Sequence, residues 1–383
     1  MDYETCANVR ILAINPGSTS TKMALFEGER ELWKENLEHP VQELRAFKDL
    51  AGQKPYRMEK IVHVLACRGV PEQSIDVFVG RGGIHEAMIS GTYRINELLY
   101  EHARINWREA HSSNLGPLLA HDLAQRNGKQ SFIVNPPCVD EFSDEAHVSG
   151  LRGVWRTSCL HALNQKEVGL LYAKKCQRRY EEMNLIIAHI GGGISIAAHC
   201  HGRMVDSNDA LRGTGAFAPT RSGALPALDL VDMCFSGKYT QQDMKDMITK
   251  QGGLVSHLGV SDVRTARTMA EQGNEYAALV LRAMTNQIEK EIGAMAAVLK
   301  GSVDAILLTG RVSFDETLVK DISKDMAFLA PVVAMPGEFE LEALAHGVLR
   351  VLSGEEPVKE YTGVPSHGLA RYAKWMEPAG AEG

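Results

Sequence analysis

Two short runs of glycine and hydroxyl residues stand between apolar segments: Asn15-Pro16-Gly17-Ser18-Thr19-Ser20-Thr21-Lys22 and His189-Ile190-Gly191-Gly192-Gly193-Ile194-Ser195. Turns of this make-up aim backbone N–H groups and small hydroxyls at one point, which suits phosphate oxygens. Two of them in matching settings suggest a duplicated fold that clamps a nucleotide between its halves. Arg81 and Arg221 lie in glycine-flanked stretches, Gly80-Arg81-Gly82 and Arg221-Ser222-Gly223. Each guanidinium can grip a carboxylate or a phosphoryl group through two parallel hydrogen bonds; surface salt bridging is the plainer alternative. A third cluster, His199-Cys200-His201, invites a zinc reading, because alternate residues of a strand share a face. It has no obvious fourth ligand and reads better as an exposed hairpin tip.

The elements that must position these groups follow from apolar periodicity. Residues 9–14 and 23–26 predict strands on either side of the first turn, with a hairpin at Glu27-Gly28-Glu29-Arg30 and a third strand over 31–37. A Walker A loop runs from strand into helix, so this strand–turn–strand order argues against it. Residues 41–70 predict helices and a crossover, and 75–79 a strand that ends at the Gly80-Arg81-Gly82-Gly83 loop. Helical spacing recurs over 95–108, 115–126, 160–175, 274–299 and 339–352, with short strands at 132–134 and 305–308. Strands at 185–188, 196–199 and 204–206, with turns at the second glycine run and at Gly202, repeat the opening pattern. A meander plus crossover helices, occurring twice, predicts an α/β protein of two related domains with mixed sheets. The tail beyond Met376 is small and polar and is expected to be unstructured.

Length and composition set wide bounds. A chain of 383 residues, 44% apolar and 23% charged, suits two globular domains. A net charge of −7 without a basic stripe argues against nucleic acid as a partner. Seven scattered cysteines without a C-x-x-C spacing fit reduced thiols, and the polar opening Met1-Asp2-Tyr3-Glu4-Thr5 carries no readable secretory signal. No apolar run approaches the roughly 18 residues of a membrane span. The expectation is a cytoplasmic protein without a membrane partner.

Several stretches are similar to the acetokinase family, in family order across residues 9–360. They are Ile11 to Lys22, Gly80-Arg81-Gly82-Gly83, His111-Ser112-Ser113-Asn114-Leu115-Gly116, Leu160-His161-Ala162-Leu163-Asn164-Gln165-Lys166, Ala188 to Ser195 and Thr220-Arg221-Ser222-Gly223-Ala224-Leu225-Pro226. The wording is closest to the branch that phosphorylates butyrate. The resemblance implies an actin/Hsp70-like ATPase fold with a nucleotide cleft between an acid-substrate domain (1–155) and a nucleotide domain (156–354). Residues 355–383 would pack back on the first domain. It implies ATP/ADP and Mg²⁺ as cofactors, a butyrate-like carboxylate and its acyl phosphate as substrates, and a homodimer or larger homo-oligomer.

Residue by residue, the resemblance makes Arg81 and Arg221 the active-site arginines and sets His161 beside the transferring phosphoryl group, with His189 in a weaker phosphate-side role. Asn15 would stand beside Mg²⁺ and phosphate, and Asp140 would orient an arginine or a metal-bound water. Glu340 would support the metal, although Glu338 and Glu342 flank it at alternate positions. Ser18, Thr19, Ser20, Lys22, Gly191, Gly192 and Gly193 would line the phosphates, with Asp262, Arg264, Thr309 and Gly310 on the adenosine side. The pattern breaks after Gly310, where Arg311 replaces a second glycine and could stack on adenine or crowd it.

A carboxylate is already ionised at neutral pH, so its phosphorylation needs no general base; the task is to neutralise repulsion between two anions. Gly82 and Gly83 lack side chains and are expected to leave room beside Arg81 for a C4–C5 chain such as butyrate or isobutyrate, at about 0.8 kcal/mol per buried methylene. Two other readings stay open. One is a sugar or polyol kinase of the same fold with Asp140 as base; the other is a non-catalytic ATP-binding regulator.

Overall fold

The apolar run near the N-terminus becomes β1 (Arg10–Pro16), with every residue after Arg10 buried. It extends past Ile14 and so carries Asn15 inside the ladder, where Asn15 pairs with Lys22. β2 (Ser20–Glu27) and β3 (Arg30–Glu38) complete a meander, and β4 (Val77–Arg81), β5 (Thr92–Arg94) and β6 (Gln130–Val134) follow. A second set comprises β7 (Asn184–Ile190), β8 (Ile194–Cys200), β9 (Arg203–Ser207), β10 (Ala305–Thr309) and β11 (Val332–Ala334); β12 (Lys359–Glu360) comes last. This computed structural model describes residues 6–372, so the first five residues and the tail beyond Met376 lie outside the described residues.

The strands form two sheets, in the orders β12-β5-β6-β4-β1-β2-β3 and β11-β10-β7-β8-β9. The duplication expected from the sequence is visible in these orders. In each sheet a meander of three antiparallel strands is extended by two strands parallel to its first member. The two glycine turns occupy equivalent places, between β1 and β2 and between β7 and β8.

Each sheet has its own apolar core. In the first, Leu12, Ile14, Met23, Phe78 and Ile133 meet Leu115, Leu119 and Leu123 of the helix Leu115–Asn127. In the second, Ile186, Ala188, Ile196 and Leu308 meet Met284, Ile288 and Ile292 of the long helix Glu275–Val298.

Each half also covers a face of its sheet with a helix from elsewhere in the chain. Helix Ala162–Lys175, which follows the strands of the first half, packs on β7 and β10. Helix Glu340–Leu352, which follows those of the second half, packs on β1, β4 and β6. The compact units therefore comprise described residues 6–140 with 339–367, and 141–338 with 368–372. Divisions read from the sequence fell at 155/156 and 354/355. The later boundary moves because helix Glu340–Leu352 buries its apolar stripe, including Leu341, Leu344, Val348 and Leu349, within the first unit; of the stretch expected to pack back on the first domain, residues 368–372 group with the second unit instead. Among the described residues, no helix is long and apolar enough to cross a membrane.

Candidate active site

Asn15 and Lys22 are direct cross-strand partners, so their side chains share one face of the first sheet. Gly80 pairs with Ile14, which puts Arg81 beside Asn15. Arg81 is thus the last residue of β4, not a loop residue as its glycine neighbours suggested. The helix Glu340–Leu352 brings Glu340 to the same place. Asn15 Nδ2 donates to Glu340 Oε2 at 2.5 Å, and Arg81 Nη1 lies 3.0 Å from Glu340 Oε1 and 3.5 Å from Asn15 Oδ1. Of the three alternate acids, Glu340 joins this group, while Glu342 lies 3.9 Å from Lys34 and the carbonyl of Glu338 accepts from Asn164. Phe339, just before Glu340, has φ 42°, an uncommon conformation for a bulky residue and one that sets the angle at which Glu340 leaves the chain. The Arg81 Nε is buried without a partner among the described residues.

The first turn is braced from the opposite face by a residue that the sequence reading passed over. Arg57, on the helix Lys54–Cys67, is 0% exposed. Its Nη1 donates to the carbonyls of Gly17 and Ser20 at 2.9 Å and to Thr21 Oγ1 at 3.1 Å; its Nη2 donates to the carbonyl of Ser18 at 3.1 Å. Gln53 Oε1 takes the remaining bonds. With its carbonyls drawn back to Arg57, the turn keeps Ser18 and Thr19 exposed at its tip. Burial pulls the guanidinium down to about 10. The one available signal was a cation on the apolar face of a helix, four residues before Ile61.

The two glycines after Arg81 do not open a pocket. A Cβ on Gly82 would lie 2.6 Å from Pro136 Cβ, and one on Gly83 would collide with Asn114. Asn114 Oδ1 accepts from the Ile84 N–H at 2.9 Å, and its amide nitrogen ties Asn106 and the Glu109 carbonyl. These glycines allow close packing, which corrects the expectation that they leave space for an acyl chain. Gly83→Ala should therefore destabilise the protein by about 1–3 kcal/mol, as overpacking does. It should leave the ratio of rates with acetate and butyrate within twofold; thermal unfolding and a two-substrate assay check both points.

In the second unit the glycine turn is closed by a bond from the Gly191 N–H to the Gly193 carbonyl (3.1 Å), and Thr220 Oγ1 donates to the Gly192 carbonyl at 3.0 Å. A Cβ on Gly193 would strike the Arg221 guanidinium, so the glycine lets that side chain lie against the turn. Arg221 Nη1 also donates to the Ala210 carbonyl, its Nε is buried without a partner among the described residues, and burial lowers its pKa. His189 on β7 and Ser195 on β8 are direct partners, so both face the start of helix Ala162–Lys175. His161, just ahead of that helix, stacks on His189 with ring centroids 3.8 Å apart and planes at 10°. Asn164 Oδ1 meets His189 Nδ1 at 2.8 Å, and Ser195 Oγ meets His161 Nδ1 at 2.8 Å.

A cavity of about 780 Å³ in this unit is lined by Gly191, Gly192, Thr220, Asp262, Arg264, Arg267, Arg311 and Phe314, among others. Asp262 caps the helix Val263–Glu271 and pairs with Arg264 at 2.6 Å, a contact that takes its carboxyl down to about 2. Gly310 has φ 88°, and a Cβ there would collide with the Ile190 backbone. Arg311 opens a short turn, Arg311–Phe314, and lies in the cavity wall. Thr309 does not face the cavity: it is fully buried, and its hydroxyl donates to the Gly337 carbonyl at 3.1 Å. Asp140 is buried, with its N–H on the Met88 carbonyl and its own carbonyl on Ser366.

Of the His199-Cys200-His201 cluster, His201 is the exposed residue and forms the expected hairpin tip, and among the described residues no group of three His, Cys, Asp or Glu side chains could hold a metal ion. His199 is 0% exposed and holds Tyr180 and Gln165 through its two nitrogens, whereas His201 sits in the turn at φ 48°.

Comparison with known proteins fits this geometry. Residues 153–330 match the acetokinase family. Butyrate kinase 2 of Clostridium acetobutylicum is 44% identical over 352 residues, covering 92% of this chain and 99% of that protein. The crystal structure of Porphyromonas gingivalis acetate kinase superposes with a TM-score of 0.74 at 21% identity, covering 90% of this chain and all of that one. A propionate kinase from Francisella tularensis gives 0.70 at 18% identity, covering 88% and 98%. These two show the fold, the duplicated α/β architecture of actin and Hsp70. The chain belongs to the acetokinase family and is an ATP-dependent kinase whose acceptor is a carboxylate.

Proposed function

We propose that this kinase transfers the γ-phosphoryl group of ATP to butyrate or a related C4–C5 acid, giving the acyl phosphate and ADP in a reversible reaction. The observation that carries the reading is the state of the two arginines: among the described residues, both Arg81 and Arg221 hold a buried Nε–H with no partner, a donor suited to an incoming anion. A neutral sugar has no charge for such groups, which speaks against the sugar or polyol reading. The length of the match to a butyrate kinase speaks against the regulator. Chain-length preference rests on that relative's name, because Gly82 and Gly83 serve packing.

In this reading the carboxylate arrives ionised and attacks in line, with no proton to remove. Arg81 orients it, while Asn15 and Glu340 hold Arg81 in place. Arg221 and His161 offset charge on the transferring oxygens, and the Gly191–Gly193 turn, whose Gly191 N–H is already bonded to the Gly193 carbonyl, would serve the nucleotide phosphates through the N–H groups of Gly192 and Gly193. Arg311 and Phe314 would flank the adenine, so the missing glycine enlarges a wall and leaves the cavity open. Asn15 and Glu340 present hard oxygen donors that fit Mg²⁺; with both Glu340 oxygens already bonded, they would hold it through its waters. Bound there, Mg²⁺ would neutralise phosphate charge. Asp140 would support the arginine from its buried position.

A hydroxamate assay with ATP, Mg²⁺ and straight and branched C2–C5 acids tests the proposal. Acyl hydroxamate formed fastest with C4–C5 acids upholds it; ADP released only with sugars, or bound ATP without turnover, overturns it.

All seven cysteines are free, which supports a reducing, cytoplasmic setting. Helix Ala227–Phe235 has no buried residue, with Leu228 79% and Phe235 86% exposed in the single chain. Such an apolar helix is suited to pairing with a second copy. Light scattering should therefore find a homo-oligomer, and Leu228→Glu with Phe235→Glu should shift it to monomer; an unshifted mass would exclude this helix as the contact.

A further inference from the structure

Beneath the stacked histidines runs a chain of buried polar side chains that the proposed mechanism does not use. Its members are Tyr180, His199, Gln165 and Ser195, all buried. Tyr180 OH lies 2.5 Å from His199 Nδ1, and His199 Nε2 lies 2.9 Å from Gln165 Oε1. Gln165 Nε2 reaches the Ser195 carbonyl at 3.0 Å and Ser195 Oγ at 2.8 Å; Ser195 Oγ then meets His161 Nδ1 at 2.8 Å. Gly169, one turn along the helix, leaves room for the Tyr180 ring, since a Cβ there would lie 2.7 Å from it.

The direction of every proton in this chain follows from groups that can act in only one way. The Ser195 main-chain carbonyl can only accept, so the Gln165 atom facing it must be the amide nitrogen. Gln165 Oε1 therefore faces His199 Nε2, which must carry a hydrogen. Burial lowers the His199 pKa to about 3, so the ring is neutral, its Nδ1 is bare, and Tyr180 donates to it. Lys166 and Glu141, an ion pair 2.7 Å long, are the charged groups facing His199. Ser195 Oγ receives two obligate donors, the Gln165 amide and the main-chain N–H of His161 (3.3 Å). Its own hydrogen goes to His161 Nδ1.

On the other ring the direction is reversed. Asn164 Nδ2 donates to the Glu338 carbonyl at 2.6 Å, which turns its Oδ1 toward His189 Nδ1 and requires a hydrogen there.

We infer that the stacked pair is held in opposite tautomers, and that Tyr180, His199, Gln165 and Ser195 are positioning residues that keep the His161 proton on Nε2. His161, with a bare Nδ1, then offers its Nε2–H to a phosphoryl oxygen, while His189 holds a proton on Nδ1. This refines the reading above, in which His161 serves the transferring group, and separates it from His189, which was expected to share that role.

Two-bond ¹H–¹⁵N spectra of the ¹⁵N-labelled full chain read the tautomers directly, with His161→Asn and His189→Asn assigning the rings. The expected pattern is a bare Nδ1 and protonated Nε2 for His161, and the reverse for His189. Ser195→Ala, and the remote His199→Phe, should move the His161 Nδ1 resonance toward a tautomer average. Each should also cut kcat roughly 10- to 100-fold, the usual toll of losing an outer partner, with both KM values held within about threefold. Tyr180→Phe removes one hydroxyl without loss of ring volume and should shift the same resonance in the same direction. A wild-type His161 protonated on Nδ1 would overturn the inference, as would resonances unmoved in folded Ser195→Ala and Tyr180→Phe. The spectra need no substrate, so an inactive enzyme with the expected tautomers would overturn the proposed reaction and leave this inference standing.

Discussion

Arg221→Ala should lower kcat by about 10³-fold or more, the usual consequence of removing a guanidinium that stabilises a phosphoryl transition state. The reaction brings two anions together, so the loss should fall on the chemical step, with KM for the acid rising only severalfold. Folding should survive, because the structural bond removed is the one to the Ala210 carbonyl, and a bond from a charged donor contributes about 1.5–3 kcal/mol. Arg221→Lys keeps a charge but not the two-pronged geometry and should fall between wild type and alanine. Gly193→Ala gives an independent approach, because it displaces the guanidinium without deleting it. Should initial rates of acyl hydroxamate formation stay within tenfold of wild type in Arg221→Ala, the assignment of Arg221 to the transferring group would have to be abandoned.

The second large effect is expected at Arg57, which touches no reacting atom. Arg57→Met removes the donor that serves the carbonyls of Gly17, Ser18 and Ser20 together. Methionine fills the volume but leaves buried acceptors unmatched, at a cost on the order of 3 kcal/mol or more. Urea unfolding should show that loss, and the surviving folded fraction should bind nucleotide more weakly because the turn is no longer held. Lysine should not rescue it, since one ammonium cannot serve acceptors arrayed around a planar fork. Wild-type stability in Arg57→Met would mean that the first turn holds its own shape.

What could be read from the sequence depended on whether a feature announced itself through period or residue type. The strands around both glycine turns did, because their apolar runs are short and bounded. Arg81 was found but misplaced, since flanking glycines look like a loop when in fact Gly80 lets Gly116 pack against the strand. Arg57 left only the faint signal of a cation on an apolar helix face, and the roles of Gln165 and Tyr180 left none, because a buried polar residue is recognisable only once its partners are known. His199 misled for the same reason: next to Cys200 and His201 it resembles a ligand, while its true partners lie 19 and 34 residues away in sequence. The helices between residues 227 and 271 were passed over, although one was legible. Thr240 and Asp243 cap each other reciprocally at the start of the helix Gln241–Thr249, at the three-residue spacing that marks a helix start.

The exchange of covering helices has a consequence for biosynthesis. The first sheet is complete through β6 when residue 134 leaves the ribosome, yet the helix that shields its outer face begins at Glu340. At 5–20 residues per second, the intervening stretch takes about 10–40 s to make. Through that interval the nascent chain carries a bare apolar surface, an opening for trigger-factor-like holdases and a hazard for crowded polysomes. The helix that covers the second sheet, Ala162–Lys175, is made before that sheet's first strand, so the sheet can close as it emerges.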